Sequence, residues 1–514
     1  MPLLSALFVL TTCQAQDPAP ASSEASQDQV AVPTPSSVAK VPTFSAEIDR
    51  IVEREMDSNH LPGVAVVIVR QGETIHRRGY GFADLSTQRP VDPDRTLFRI
   101  GSVSKALTCL AVTRVVQDGR LGMFDDVSEY FGGIVNKPGF QEPVTVWNLM
   151  THTSGFDQVG GLDRQVQQFE LPLEERKRLR PDLGTYLGRG KVRRVSPAGC
   201  YFRYDTFATA LAGHVLEKVT ELPYAEAMRQ ELFARVGMND SFVEVGPDRF
   251  GDLAVGYGWL GDGYGVAPYE VYATTPASSI DATPADMGRL LEALTGEGKS
   301  SRGRLFSSEV TAEVLAPQFR PHPRFSGATH GLWEGAWVGD YGGPAVRTVW
   351  HGGTNLGFWT LFSVIPSKGV GVLVVANRDP EAGGDWVTVG GQVMEAVVAE
   401  FCRGTGPRPT AEVAPAREVD LAEYAGDYYR GVYCHSCTEE ELREGGWPRG
   451  ASLPVTVEGK ALRMEEALYL PTAENDVFVR EDGLDEMFFG RDADGKIQFR
   501  VSSESPVTRE RWDD

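Results

Sequence analysis

The chain has 514 residues, of which 41% are hydrophobic and 24% charged, and its 50 basic and 71 acidic side chains give a net charge of −21. This length predicts more than one structural unit, because single hydrophobic cores rarely grow beyond about 250–300 residues. The apolar content excludes general disorder, and the negative charge argues against binding of nucleic acid, which requires a cationic surface.

The N-terminal residues have the composition of a targeting signal followed by a tether. An apolar run over residues 3–10 is too short to span a bilayer, and we predict a signal peptide over residues 1–15. The tetrapeptide that ends at Cys13 also resembles a bacterial lipobox, which would place a lipid anchor on Cys13; an ordinary chain terminus is the third interpretation. Residues 16–42 are rich in Pro, Ala, Ser and Gln and predict a disordered linker. We therefore expect an exported protein that is periplasmic, secreted or anchored to a membrane as a lipoprotein.

Hydrophobic patterns in residues 43–403 predict an α/β unit. Residues 63–70 have the continuous apolar pattern of a buried strand, and residues 74–79 are its predicted hairpin partner. Apolar residues at i+3 and i+4 spacing predict helices over residues 102–117 and 207–219.

Two more strands are predicted late in the same unit, at residues 361–365 and 370–376. The sequence Pro-Ser-Lys-Gly at residues 366–369 separates them and predicts a hairpin turn. Since strands lie at both ends of the unit, its sheet must close from segments that are far apart in the chain.

The composition changes after this unit. Residues 404–417 are rich in Gly and Pro and predict a linker. Residues 418–514 contain short strand-like segments, such as 453–457 and 477–480, between recurrent Glu-Gly and Asp-Gly turn signals. This pattern predicts a small C-terminal antiparallel β-barrel-like domain.

Six cysteines are too few for a disulfide scaffold in a chain of this length. Cys434 and Cys437 have CxxC spacing, but the sequence has no second ligand pair at zinc spacing. A local disulfide or two ordinary thiols are favoured here over a redox or metal role.

The strongest chemical signal is Ser102-Val103-Ser104-Lys105, at the start of the first predicted helix. Positions i and i+3 share a helix face, so Ser102 and Lys105 can point into one cavity. A serine hydroxyl needs a base, and a lysine can act as one when burial or a neighbouring cation lowers its pKa. Alone, the pattern also fits a helix with a capping serine and a solvated lysine.

Three further segments follow in order: Leu-Met-Thr-His-Thr-Ser-Gly at 149–155, Phe-Arg-Tyr-Asp-Thr at 202–206 and Trp-His-Gly-Gly-Thr-Asn at 350–355. Over roughly residues 43–405, the chain resembles the β-lactamase-related serine hydrolases: class C β-lactamases, D-alanyl-D-alanine carboxypeptidases, D-aminopeptidases and β-lactamase-like esterases. The resemblance implies an antiparallel sheet flanked by helices, together with a helical subdomain.

The resemblance also implies roles for the side chains. Ser102 would be the acylated nucleophile, and Lys105 would take its proton or tune the site. Tyr204, in the position of the family's Tyr-x-Asn motif, would protonate the leaving group and activate water for deacylation. The mechanism would be a two-step acyl transfer with no metal or organic cofactor.

The 350–355 segment matches the family's Lys-Thr-Gly element in its His-x-Gly form. The resemblance implies that His351 positions either a substrate carboxylate or the Tyr204 hydroxyl, with Gly353 in the substrate-binding strand. The backbone N–H groups of Ser102 and Thr354 would form the oxyanion hole. His152, by contrast, lies in a segment that is mainly a structural turn in this family, and Ser104 is expected to be a helix-side hydroxyl.

One residue departs from the family pattern. Thr206 stands where the family usually has Asn, and a threonine hydroxyl cannot donate to a substrate carbonyl and accept from the lysine as an amide group can. The resemblance implies a small-molecule, ester or D-amino-acid peptide substrate, and Thr206 favours an ester or a small amide over a strictly peptide-like one. The alternatives are a carboxylesterase with little peptidase activity and a catalytically silent relative that binds cell-wall peptides.

Two other segments bear on the site. Residues 421–428 are similar to the opening of a lipocalin-like β domain that is appended to some of these hydrolases. The basic run from Arg176 to Arg194 predicts a solvated helix face, with a rim that attracts carboxylates as the alternative.

Overall fold

The computed structural model describes residues 43–511 except positions 133, 136–139, 141, 158–171, 190–191, 324, 338–345, 379–388, 403–418, 431–452, 482–484, 492–494 and 503–504. The predicted signal peptide, tether and interdomain linker lie outside the described residues, as do Cys13 and the CxxC pair. Of the helices that the structure describes, none has the length and apolarity needed to cross a bilayer.

The described α-helices are α1 (Phe44–Ser58), α2 (Val103–Gln117), α3 (Val146–Met150), α4 (Leu173–Leu179), α5 (Leu183–Arg189), α6 (Thr206–Thr220), α7 (Tyr224–Met228), α8 (Ala234–Val236), α9 (Thr275–Ser278), α10 (Pro284–Thr295), α11 (Ser308–Leu315) and α12 (Val389–Phe401). The strands before the C-terminal barrel are β1 (Gly63–Arg70), β2 (Glu73–Asp84), β3 (Arg89–Pro90), β4 (Phe98–Arg99), β5 (Ile134–Val135), β6 (Val192–Arg193), β7 (Ser241–Val243), β8 (Tyr257–Trp259), β9 (Tyr264–Val266), β10 (Ile280–Ala282), β11 (Lys299–Ser300), β12 (Gly303–Arg304), β13 (Trp333–Trp337), β14 (Val346–Asn355), β15 (Phe358–Ile365) and β16 (Val370–Ala376). The barrel strands are β17 (Gly426–Arg430), β18 (Leu453–Glu458), β19 (Ala461–Met464), β20 (Ala467–Pro471), β21 (Val477–Arg480), β22 (Glu486–Arg491), β23 (Ile497–Ser502) and β24 (Ser505–Arg511).

A seven-stranded antiparallel sheet has the order β13-β14-β15-β16-β1-β2-β3. The early strand β1 pairs with the late strand β16, with Val66 opposite Val374, so the sheet does close from distant segments. Successive side chains of a strand point to opposite faces. Accordingly, Val66 packs into a core with α1 and α12, whereas Val67 packs into the core that contains α2 and α10. Both faces of the sheet are therefore covered by helices.

The helical part of this unit is assembled around α2. The side chains from Val103 to Val115 are all buried, and α2 packs against α6 and α9. Helix α2 is therefore buried on every side and lies within the core. Helix α2 begins one residue later than predicted because Ser102 is its N-cap residue. Helix α6 begins one residue earlier than predicted, directly after its N-cap Asp205, and ends one residue later.

The C-terminal domain is a closed barrel with strand order β17 to β24. Aromatic and methionine side chains fill its interior, among them Tyr428, Phe478, Met487 and Phe489. The predicted architecture, an antiparallel sheet flanked by helices and followed by an antiparallel barrel, is confirmed.

The prediction of a solvated face is wrong for Arg176, Lys177 and Arg180 around α4, whereas Arg178 and Arg193 of the same basic run are exposed. Arg176 and Lys177 donate to backbone carbonyl oxygens within residues 244–269, at 2.5 Å and 2.8 Å. Arg180 pairs with a carboxylate of the same segment. A charged side chain can be partly buried when its hydrogen bonds are met in this way.

Candidate active site

Ser102 and Lys105 share one face at the start of α2. The Lys105 Nζ atom donates to Ser102 Oγ at 3.1 Å and to the carbonyl oxygen of Ala277 at 3.0 Å. Lys105 is only 2% exposed, and no carboxylate pairs with it among the described residues. Ser102 occupies the N-cap position, but its side chain makes no capping hydrogen bond. The Ser102 hydroxyl thus accepts a hydrogen bond from Lys105. The alternative of a capping serine beside a solvated lysine does not describe this site.

Ser104 points away from this pair. Its buried hydroxyl oxygen accepts a hydrogen bond from the backbone N–H of Ile280 at 3.1 Å, which joins α2 to β10. This contact agrees with the expectation that Ser104 is a structural hydroxyl.

Two glycines let β14 pass against the start of α2 at backbone distance. A Cβ atom on Gly353 would lie 2.0 Å from the carbonyl oxygen of Ile100 and 3.2 Å from the backbone nitrogen of Ser102. A Cβ atom on Gly101, whose φ is +53°, would lie 2.5 Å from the backbone nitrogen of Thr354. Only glycine permits these approaches. The backbone of Ser102 and that of Thr354 consequently lie next to each other, on the two segments to which the resemblance assigns the oxyanion hole.

The ring of Tyr204 also lies close to Lys105. The Lys105 Nζ atom is 4.9 Å from the centroid of its ring, a cation–π distance. The rings of His351 and Trp333 have centroids 5.9 Å and 5.3 Å from that of Tyr204. The structure thus brings all four predicted catalytic side chains, those of Ser102, Lys105, Tyr204 and His351, into one cluster.

His351 is buried and neutral at physiological pH. Desolvation by burial, and secondarily the charge of Lys105, lowers its pKa to about 3. Its Nδ1 atom lies 2.6 Å from the carbonyl oxygen of Gly352; since a carbonyl only accepts, Nδ1 carries the proton and Nε2 is an acceptor. His351 can therefore receive a hydrogen bond from a hydroxyl group, but it offers no positive charge to a carboxylate.

His152 supports the backbone around Tyr204. The N–H of Asp205 donates to His152 Nδ1 at 3.1 Å, and the N–H of Arg203 donates to its carbonyl oxygen at 2.8 Å. Burial lowers the pKa of His152 well below its usual value. These contacts agree with a structural role, although the ring also packs beside Tyr204, with centroids 4.9 Å apart.

Thr206 is the first residue of α6, and the structure shows no side-chain hydrogen bond for it within the described part of the chain. The residue before it caps the helix instead: the Asp205 carboxylate accepts from the N–H of Ala208 and from the hydroxyl of Ser154, both at 3.1 Å. Burial raises the pKa of Asp205 to about 6. The capping thus falls to Asp205, and the Thr206 hydroxyl is left for other partners.

Three contacts of the site were not predicted from the sequence. Trp333 lies against Tyr204 and His351, Ala277 supplies a carbonyl to Lys105, and the His152 ring packs on Tyr204. Trp333 belongs to no motif, and a backbone carbonyl has no sequence signal. Among the polar residues that support the site, only Asp205 could have been predicted from the sequence, because an aspartate before an apolar helical pattern is a typical N-cap. Within the described residues, no cluster of three or more His, Cys, Asp or Glu side chains could hold a metal ion.

Comparison with known proteins shows the family. The family model described as Beta-lactamase matches residues 48–388, so the chain belongs to the β-lactamase family. It is 22% identical over 337 residues to Protein flp of Staphylococcus aureus (strain N315), covering 65% of this chain and 63% of that protein. It is 29% identical over 226 residues to Esterase EstB of Burkholderia gladioli, covering 40% of this chain and 54% of EstB. The chain thus spans about 63% of the length of the staphylococcal relative.

The fold is shared beyond the catalytic unit. The octameric penicillin-binding protein homologue from Pyrococcus abyssi superimposes on 90% of this chain and 99% of its own, with a TM-score of 0.55 and 20% identity. At 20% identity the similarity concerns the fold alone. Since the match covers nine-tenths of this chain, it includes residues of the barrel.

Proposed function

We propose that this protein is a serine hydrolase that cleaves an ester or amide bond through an acyl-enzyme on Ser102. The observation that carries the proposal is the hydrogen bond of 3.1 Å from Lys105 Nζ to Ser102 Oγ, in a site where Lys105 is buried. A nucleophile and a base within hydrogen-bond reach of each other form the arrangement that covalent catalysis needs.

The proposed reaction has two steps. Ser102 Oγ attacks the substrate carbonyl carbon while its proton passes to the amine of Lys105, and the N–H groups of Ser102 and Thr354 stabilise the oxyanion. Tyr204 donates a proton to the leaving group as its bond to the carbonyl carbon breaks. The Tyr204 phenolate formed in that step then takes a proton from water as the water oxygen attacks the acyl-enzyme carbonyl carbon. The bond to Ser102 Oγ breaks, and Oγ takes its proton back from Lys105. These steps draw only on groups of this chain.

Covalent labelling tests the nucleophile. We expect a fluorophosphonate to add one adduct to the wild-type protein, visible by intact-mass spectrometry, and none to Ser102→Ala. Ser104→Ala is the matched control, because the same hydroxyl is removed two residues away, and it should still be labelled. A wild-type protein without an adduct, or an adduct that survives Ser102→Ala, contradicts the proposal.

The substrate class follows from Thr206. Its short hydroxyl replaces an amide that can donate and accept at once, and the neutral His351 offers no charge to a carboxylate. These two features favour an ester or a small amide over a peptide with a free carboxylate. The D-amino-acid peptide remains the competing substrate.

A substrate panel tests this choice. We expect turnover of p-nitrophenyl esters to exceed that of nitrocefin and of D-Ala-D-Ala peptides. Thr206→Asn should raise amide turnover relative to ester turnover. Hydrolysis of the peptide without hydrolysis of esters contradicts the ester assignment. Binding of the peptide with no turnover of any substrate would instead indicate the silent, cell-wall-binding relative.

Export and anchoring are part of the proposal and rest on the N-terminal sequence alone. The apolar run before Cys13 is typical of a signal peptide, and the residues that precede the cysteine resemble a lipobox. Expression in a bacterium supplied with labelled fatty acid should label the wild-type protein and spare Cys13→Ser. Equal labelling of both proteins, or none, contradicts lipidation at this residue.

A further inference from the structure

Tyr204 lies on a segment that belongs to no helix or strand. Residues 201–205, here called the tyrosine strap, run between the turn at Gly199 and the start of α6. On the inner side, the strap is held by the two hydrogen bonds to His152, at 2.8 Å and 3.1 Å. Without a repeating pattern of backbone hydrogen bonds, the position of the strap depends on these contacts and on its side chains.

The barrel contacts the outer end of the tyrosine strap. The ring of Tyr201 meets the ring of Phe499 on β23 edge to face, with centroids 4.8 Å apart and an interplanar angle of 76°. Phe499 is only 5% exposed. Next to it, β24 packs beside β13, the strand that begins with Trp333. The barrel therefore contacts both of the segments that carry the aromatic wall around Tyr204.

The nucleophile has a different support. Ser102 and Lys105 are positioned by α2, and α2 is tied to β10 through Ser104 and to β14 through the glycine contacts. A disturbance at Phe499 would consequently reach Tyr204 through the tyrosine strap, while the Ser102–Lys105 pair keeps its own support.

We propose that Phe499 of the barrel is a positioning residue for Tyr204: its contact with Tyr201 holds the tyrosine strap so that the phenol group stands at the leaving group. The proposal deepens the proposed function and rests on it. It assigns the C-terminal barrel a part in the chemistry of the catalytic unit, because a displacement of about 1 Å in a catalytic group can cost about a hundredfold in rate.

The leaving group provides a specific readout. An alkoxide is a poor leaving group and needs the proton of Tyr204, whereas p-nitrophenolate leaves unprotonated. In fluorophosphonate labelling, Ser102 Oγ forms a bond to phosphorus as the phosphorus–fluorine bond breaks, and fluoride also leaves without general-acid help. A misplaced Tyr204 should therefore slow the alkyl ester and spare the other two reactions. A general loss of structure would slow all three.

The experiment uses the full chain with Phe499→Ala and two esters of the same acid, one of p-nitrophenol and one of a simple alcohol. We expect kcat/KM for the alkyl ester to fall by about tenfold, with changes of less than about twofold for the p-nitrophenyl ester and for fluorophosphonate labelling. Phe499→Tyr, which keeps the ring, should behave as wild type.

Phe325→Ala is the matched control. Phe325 contacts the rings of His322 and Phe488, with centroid distances of 5.5 Å and 5.9 Å. Phe488 lies between Phe325 and Phe499, with its ring centroid 6.1 Å from that of Phe499. The same volume is therefore removed at the same interface but one ring further from the tyrosine strap, and the three rates should stay near wild type. An identical pattern in Phe325→Ala and Phe499→Ala would overturn the proposal in favour of general barrel docking.

A second variant guards against failure to fold. Tyr201→Ala removes the contact from the other side and should give the same selective loss, with no further loss when it is combined with Phe499→Ala. Wild-type rates in both variants, or equal losses on all three probes, overturn the role of the contact. Failure of the proposed function is distinguishable, because it would show as an unlabelled wild-type protein.

Discussion

The two halves of the candidate site are built in different ways. Ser102 and Lys105 lie one turn apart on α2, a helix whose side chains are buried from Val103 to Val115. Tyr204 lies on the tyrosine strap, which belongs to no helix or strand and which contacts residues from remote parts of the chain. The first half is therefore determined by local helical geometry, and the second by long-range packing.

This difference predicts how each half responds to change. Each fully buried Leu of α2, such as Leu107 and Leu110, contributes about 1.5–3 kcal/mol by burial, so the helix resists displacement. The two hydrogen bonds from the strap to His152 contribute about 0.5–1.5 kcal/mol each. Distant substitutions should accordingly disturb Tyr204 before they disturb Ser102.

The largest effect is expected at the helical half. Lys105→Met removes the amine that contacts Ser102 Oγ while it keeps most of the buried volume, and kcat/KM should fall by about 10⁴-fold because general base catalysis is lost. Steady-state kinetics and the rate of fluorophosphonate labelling measure this, and both should collapse together. Lys177→Met is the control and should retain activity, because the amine that it removes donates a hydrogen bond to the carbonyl oxygen of Val245, outside the site. Activity within tenfold of wild type in Lys105→Met would show that another group is the base.

The strap half should be separable from the helical half. Tyr204→Phe removes only the hydroxyl, and kcat/KM for an alkyl ester should fall by about 10³-fold because general acid catalysis is lost. Fluorophosphonate labelling of Ser102 should stay within a few-fold of wild type. Tyr257→Phe, at the start of β8, is the matched control and should leave catalysis unchanged. If Tyr204→Phe also abolished labelling, the two halves would act as one unit and the comparison would fail.

A third prediction concerns the junction between β14 and α2. Gly353→Ala places a methyl group 2.0 Å from the carbonyl oxygen of Ile100, so the strand must move away and the Thr354 N–H must leave the oxyanion position. Loss of one oxyanion-hole donor costs about 10²-fold in kcat. Gly258→Ala on β8 is a fitting control, since a Cβ atom there meets nothing within 4 Å. Equal kcat values for Gly353→Ala and Gly258→Ala would show that the contact between β14 and α2 does not form an oxyanion hole.

The same contrast decides what the sequence could reveal. The spacing of Ser102 and Lys105 is local, and the helix predicted over 102–117 is observed as Val103–Gln117. The strands at 63–70 and 370–376 were also predictable, because each is a continuous buried run. Their pairing followed only from the observation that strands lie at both ends of the unit.

The rest of the site depends on contacts between segments with no shared periodicity. No pattern in the sequence near Trp333 indicates that it lies against Tyr204. The contact of Tyr201 with Phe499 joins segments that are almost 300 residues apart in the chain. Gly101 and Gly353 permit the close approach of β14 to the start of α2. Their role can be recognised only when this strand and this helix are known to be in contact. Sequence patterns predict the helices and strands, but the contacts between irregular segments can be seen only in the folded structure.

The smallest effect is expected in the pH dependence of stability. Burial lowers the pKa of His351 to about 3, against about 6.5 for an exposed histidine. Between these values the unfolded chain binds more protons than the folded one. The stabilisation from His351 is therefore complete above pH 6.5 and is lost as the pH falls towards 3, with a slope of up to about 1.4 kcal/mol per pH unit.

His351→Asn should make the free energy of unfolding less dependent on pH in this window, measured by denaturant titration between pH 4 and 7.5. His330→Asn is the control, because burial also lowers the pKa of His330, to about 4, at a position that contacts Thr113. Both variants should flatten the stability curve, but only His351→Asn should reduce ester turnover. An unchanged slope in His351→Asn would mean that this histidine is hydrated in the folded protein, and the aromatic wall around Tyr204 would then be open to water.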